Sequence, residues 1–78
     1  MKWNQFDVKR IIKGKETAVP VKLIDDGNLY RIDIMRDIAT AKITCYTLTY
    51  ISNGKKIGRY QSLTDAQKAA LEHAKSRK

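Results

Sequence analysis

The sequence predicts an α+β domain: an antiparallel sheet of about four to five strands, arranged as a hairpin meander and followed by one C-terminal helix packed on one sheet face. Three observations predict it. Apolar residues recur with period two through most of residues 3–61. Two turn signals, Asp25-Asp26-Gly27-Asn28 and Ser52-Asn53-Gly54, interrupt that alternation. From Ser62 onward the apolar period becomes helical.

Residues 3–12 form the first expected strand, with Phe6, Val8 and Ile12 on one face and Arg10 interrupting it. Gly14 breaks the pattern. Residues 17–24 resume it, with Val19, Val21 and Leu23 pointing one way. Pro20 lacks a backbone N–H, so this strand is expected at a sheet edge or to begin at the proline. After the Asp-Asp-Gly-Asn turn, residues 29–36 place Tyr30, Ile32 and Ile34 on one face and Arg31, Asp33 and Met35 on the other. Residues 42–51 are rich in Thr, Tyr and Ile, which suit a pleated surface. There Tyr46, Leu48 and Tyr50 oppose Ile43, Cys45, Thr47, Thr49 and Ile51. Residues 55–61 return as a short strand after the Asn-Gly turn. The helix opens at Ser62-Leu63-Thr64-Asp65, where Thr64 with Gln67, or Ser62 with Asp65, can cap it. Leu63, Ala66, Ala69, Ala70, His73 and Ala74 share one sector, so a mostly alanine surface meets the sheet.

The 78 residues read as one small basic domain, 1–78, with no linker and no low-complexity stretch. A chain this short has room for one modest core. Sixteen Lys and Arg oppose eight Asp and Glu, a formal net charge of +8. Such a field attracts polyanions. The excess is uneven: residues 55–78 hold seven cations and two acids, residues 1–28 six and four, residues 29–54 three and two. Cys45 is the single cysteine, so no intrachain disulfide forms and a reducing compartment is expected. The start shows no signal-peptide core, and no apolar run reaches membrane-spanning length. The expected location is cytoplasmic (nucleoid-associated, or nuclear in a eukaryote).

Enzymatic chemistry is not expected. One His, one Cys and no paired carboxylate and nucleophile leave no acid–base constellation. Asp25-Asp26 precede Gly27-Asn28 and read as a turn rather than a metal site. His73 falls on the sheet-facing sector and reads as a packing or rim residue. Cys45 lies mid-strand as a small hydrophobe. No glycine loop suited to phosphates is present. No catalytic residue, metal ligand or cofactor is assigned.

Facing decides what can touch a ligand. With the helix over Tyr30, Ile32, Ile34, Tyr46, Leu48 and Ile57, the opposite face presents Arg31, Asp33, Met35, Thr47, Thr49 and Lys56. Hydroxyls among cations suit phosphate and base-edge contacts. Ile43, Cys45 and Ile51 belong to the same face, which the N-terminal strands would have to cover for nucleic-acid binding to gain ground. Left exposed, they favour a protein partner.

Residues 46–70, a strand, a short Gly turn, a basic strand ending Gly58-Arg59-Tyr60 and a Ser/Thr-capped helix with Ala66 and Ala70, resemble the AP2-like fold. That fold includes the arm-type DNA-binding domains of phage integrases. The resemblance implies a three-stranded sheet in the major groove with the helix behind it. It places Lys56 and Arg59 on the DNA-facing strand and Thr47 and Thr49 beside them, with Ile57, Tyr60, Ala66 and Ala70 in the core. It covers about the last half of the chain. Its first strand is usually rich in Arg, whereas this chain offers Arg31 alone, and neither the N-terminal hairpin nor the lack of a recombinase domain belongs to the pattern.

The leading expectation is therefore a non-catalytic nucleic-acid-binding module, for duplex DNA ahead of RNA, and an accessory or regulatory factor of a phage or mobile element. Its expected contact residues are Arg31, Thr47, Thr49, Lys55, Lys56 and Arg59, with Lys75, Arg77 and Lys78 adding backbone contacts. The alternative is a small interaction protein that docks on an acidic protein surface, such as an inhibitor of a host nucleic-acid-processing machine. A membrane partner is not expected, and the oligomeric state stays open.

Overall fold

The computed structural model describes residues 2–40 and 42–76. Five strands and one helix follow in chain order: β1 (Trp3–Ile12), β2 (Lys15–Asp25), β3 (Tyr30–Arg36), β4 (Ile43–Tyr50), β5 (Lys55–Tyr60) and α1 (Leu63–Ser76). The strands form one antiparallel sheet in the order β1-β2-β3-β4-β5. This is the expected hairpin meander with a helix on one face.

Each turn has a local cause. Lys13 (φ 51°) and Gly14 (φ 78°) both occupy the left-handed region, as a two-residue hairpin with the twist of its strands requires. At the β2–β3 turn, Asn28 is left-handed (φ 56°) and its N–H donates to the Asp25 carbonyl at 2.9 Å. Asp25 is itself buried, and its Oδ1 accepts from the N–H groups of Leu29 (2.8 Å) and Tyr30 (2.7 Å). The residue expected to act only as turn chemistry thus also anchors the start of β3. The β4–β5 connection is a four-residue turn, 51–54, in which Gly54 alone has positive φ and the Asn53 side chain accepts from the Lys55 N–H at 2.9 Å.

Pro20 lies inside β2, and β2 lies between β1 and β3, so the expected edge placement is not what forms. Two features accommodate it. The β1–β2 register shifts at Phe6/Asp7, where Phe6 faces Lys22 and Asp7 faces Pro20. The β2–β3 ladder is confined to Lys22–Ile24 against Arg31–Asp33, so no partner strand needs the missing N–H. Arg36 Nη2 instead donates to the Pro20 carbonyl at 3.2 Å.

The core sits between α1 and β3–β5. Tyr30, Ile32, Leu48, Ala66 and Ala70 are fully buried, Leu23 nearly so, and Ile34, Tyr46 and Ile57 pack around them. Alanine at 66 and 70 places one helical face close to the sheet. Gly58 faces Leu48 in the register, with Tyr60 folded against it so that an added Cβ would lie 3.0 Å from the phenol oxygen. Ser62 is the N-cap: its Oγ accepts from the Asp65 N–H at 3.1 Å, which selects the Ser62/Asp65 alternative over Thr64/Gln67.

Asp25→Ala leaves two N–H groups at a buried site without an acceptor, with an expected loss of about 2–3 kcal/mol. Asp25→Asn keeps a carbonyl oxygen and is expected to lose less. Urea unfolding of the two variants beside the parent measures the difference.

Candidate functional site

The face of the sheet away from α1 is open. The register sorts its side chains into cross-strand rows. One row reads Asn4, Ile24, Arg31, Thr49, Lys56. The next reads Phe6, Lys22, Asp33, Thr47, Arg59. Then come Met35 and Cys45, with Ile43 beyond the bulge at Met35/Arg36. The first two rows therefore carry Lys22, Arg31, Lys56 and Arg59 against one acid, Asp33. The end past them is apolar.

Arg31 is partly committed, its Nε donating to Asp33 Oδ2 at 3.1 Å. Lys22 lies 5.6 Å from the Phe6 ring centroid, a cation–π distance that ties β2 to β1 on this face. Lys56 and Arg59 are exposed on the outermost strand. Thr47 and Thr49, expected as contact residues, are on this face but only 5% and 4% exposed. Each is flanked across the ladder by long side chains, Asp33 and Arg59 for Thr47, Arg31 and Lys56 for Thr49, which account for the burial. They support the surface rather than form it.

Lys55 pairs with Tyr50 and so belongs to the helix side. With Tyr50, Asn53, Lys56, Ile57 and His73 it lines a cavity of about 210 Å³ between the β4–β5 turn and α1. His73 is half-buried there, and its Nδ1 meets the Tyr30 hydroxyl at 2.7 Å. The Tyr30, Tyr50 and His73 rings lie 5.2–5.5 Å apart. His73 is thus a partner for the polar tip of a fully buried tyrosine, fastening the last turns of α1 to β3. Lys75 is exposed on the final turn, whereas Arg77 and Lys78 lie outside the described residues.

The N-terminal strands do not cover Ile43, Cys45 and Ile51, because β1 and β2 continue the sheet sideways. Ile43 is 43% exposed, Met35 46% and Ile51 36%, with Cys45 half-buried. Among the described residues, no three His, Cys, Asp or Glu gather as a metal-ligand set. Among the same residues, no helix is long and apolar enough to cross a membrane.

Comparison with known proteins finds no matching family model, no similar curated protein and no similar solved structure.

Replacing His73 by Ala strands the Tyr30 hydroxyl at a buried position, and a loss of about 1–3 kcal/mol is expected. A double-mutant cycle with Tyr30→Phe checks it. Coupling of less than a few tenths of a kcal/mol would show that the contact does not hold the helix.

Proposed function

We propose that the protein is a non-catalytic nucleic-acid-binding module that meets duplex DNA with the open face of its sheet. The observation that carries this reading is the gathering of Lys22, Arg31, Lys56 and Arg59 in two adjacent cross-strand rows against Asp33 alone. A formal net charge of +8 adds a field that draws in polyanions. The resemblance of residues 46–70 to the AP2-like domains supports it, since there too a sheet meets DNA with a helix behind. Phosphate contacts from this face would position the protein, and the burial of Thr47 and Thr49 leaves few groups for reading bases. The reading is accordingly one of backbone-dominated binding.

A second reading rests on a different observation. Met35 and Ile43 stay exposed at the apolar end of the same face, which favours a protein partner with an acidic rim around an apolar centre.

The test is titration of labelled duplex at two salt concentrations. Each phosphate neutralised adds about 0.9 to the slope of log K against log salt. Lys56→Ala/Arg59→Ala is expected to weaken binding and flatten that slope by about 1.8. Asp33→Ala releases Arg31 and is expected to tighten binding by up to about fivefold. An unchanged slope in the double variant, with the fold intact, would remove this face from nucleic-acid binding. Failure of the parent protein to bind duplex at the lower salt concentration would move the assignment to a protein partner at the apolar end, Met35 and Ile43.

A further inference from the structure

The β1–β2 hairpin has features that the sheet face does not use. The β2–β3 ladder ends at Lys22. α1 packs on β3, β4 and β5, and what reaches its core from the first two strands is Trp3 and Leu23, at the end away from the hairpin tip. Arg36 reaches Pro20, and Val19 is the buried residue of β2 nearest the hairpin tip. Beyond Val19 the two strands pair only with each other, from Lys9↔Ala18 to Ile12↔Lys15. That leaves a two-stranded arm of about four residues per strand, roughly 13 Å, with which no third strand pairs. At its base Arg10, Ile11, Ile12 and Ala18 line a cavity of about 350 Å³ with Val19, Pro20 and Arg36. The molecule is accordingly elongated, 49 Å by 21 Å by 21 Å.

The arm's composition is unusual for a free hairpin. Residues 9–17 carry Lys9, Arg10, Lys13 and Lys15 against Glu16 alone. Glu16 is shared with Lys9 through an exposed contact of 3.7 Å, Arg10 lines a cavity with Met35, Arg36 and Asp37 at the end of β3, and Lys13 and Lys15 are left to the surroundings. Ile11, beside them, is 79% exposed, and Ile12 38%. An exposed isoleucine flanked by Lys9, Arg10 and Lys13, with Glu16 as its cross-strand neighbour, suits a ligand with anionic edges and an apolar interior.

We propose that the arm tip is a second DNA-contacting element, which enters the major groove with its cations on the bordering phosphates and Ile11 against base edges. This rests on the nucleic-acid reading above. The major groove of B-form DNA, about 12 Å wide, admits a two-stranded ribbon, and the thymine methyl group offers an apolar contact. The deep, narrow major groove of duplex RNA does not admit such a ribbon, so DNA is the occupant. Two isoleucines are a small apolar area for a lipid surface.

The experiment is duplex titration over a salt series with three variants of the full chain: Lys13→Asn/Lys15→Gln, Ile11→Ser and Lys56→Ala/Arg59→Ala. Asn suits the left-handed backbone at position 13, and the arm side chains are exposed, so thermal melts should coincide with the parent. The arm lysine variant is expected to flatten the salt slope by about 1.8. Ile11→Ser should lose at least threefold in affinity for duplex DNA at an unchanged slope, with no change toward duplex RNA. If the sheet-face variant flattens the slope and neither arm variant differs from the parent, the arm proposal is overturned while the nucleic-acid reading stands. If the parent protein fails to bind duplex at low salt, both fall. Capture by phosphatidylserine vesicles, lost in Ile11→Ser, without duplex binding, would assign the arm to membranes and overturn the proposal.

Discussion

One short helix has to close a five-stranded sheet, and the rest of the molecule depends on that mismatch. The fourteen residues of α1 span about 21 Å and shield only the strands directly beneath them. They lie on β3, β4 and β5, where Ala66 and Ala70 seat the helix over Ile32 and Leu48. Burial is concentrated there because only there does the sheet have a second layer. β1 and β2 depend on Leu23 and Trp3 at the edge of that core, on hydrogen bonds to each other, on the short ladder to β3 and on a few anchors. Among these are Asp26 N–H to the Lys2 carbonyl at 3.1 Å and the Asn4 side chain to Asp26 at 2.7 Å.

A sheet covered on one face exposes whatever its other set of alternating residues carries. In this chain that set changes character along the strands. Near the start of β3 and the end of β4 it is cationic, and the strand-central threonines lie beneath the charged side chains. Toward the end of β3 it becomes Met35, Cys45 and Ile43. The two functional readings therefore attach to two halves of one surface. Both draw on the same cause, the absence of a second layer over these strands.

Much of the architecture was legible in the residues, and the failures have identifiable reasons. Period-two alternation located each strand to within two residues, because one face of each of β3–β5 is buried and pattern follows burial. The facing of Arg31, Asp33, Thr47, Thr49 and Lys56 follows from the same period. The capping of α1 was ambiguous in the sequence because two overlapping Ser/Thr–x–x–acid/amide patterns coexist, and only geometry selects Ser62. Pro20 departs from the edge-strand rule because that rule assumes a continuous ladder, whereas here a bulge and an early end to the β2–β3 pairing remove the demand for its N–H. Periodicity also does not distinguish a hairpin that stacks on a sheet from one that extends it, so the covering of Ile43 and Cys45 was not decidable beforehand. The face of Thr47 and Thr49 follows from the strand period, but their depth depends on the length of their cross-strand neighbours.

The charge distribution shows how a sum taken along the chain differs from a sum taken in space. Residues 1–28 have only two more cations than acids, which directs attention to the C-terminal third. Yet the acids Asp25 and Asp26 lie at the β2–β3 turn, and Asp25 is buried with its oxygen held by two backbone N–H groups. Asp7 lies at the bulge beside Pro20, short of the free part of the hairpin. Only Glu16 stands among the four cations of residues 9–17. The fold separates these charges by more than a Debye length of about 8 Å at physiological salt, since the turn and the tip lie at opposite ends of strands about 30 Å long. The acids at the turn thus do little to offset the tip. A free hairpin that concentrates cations around exposed isoleucines, at the end of a sheet whose open face is also cationic, makes the electropositive surface longer than the domain's core and extends it beyond the strands that α1 covers.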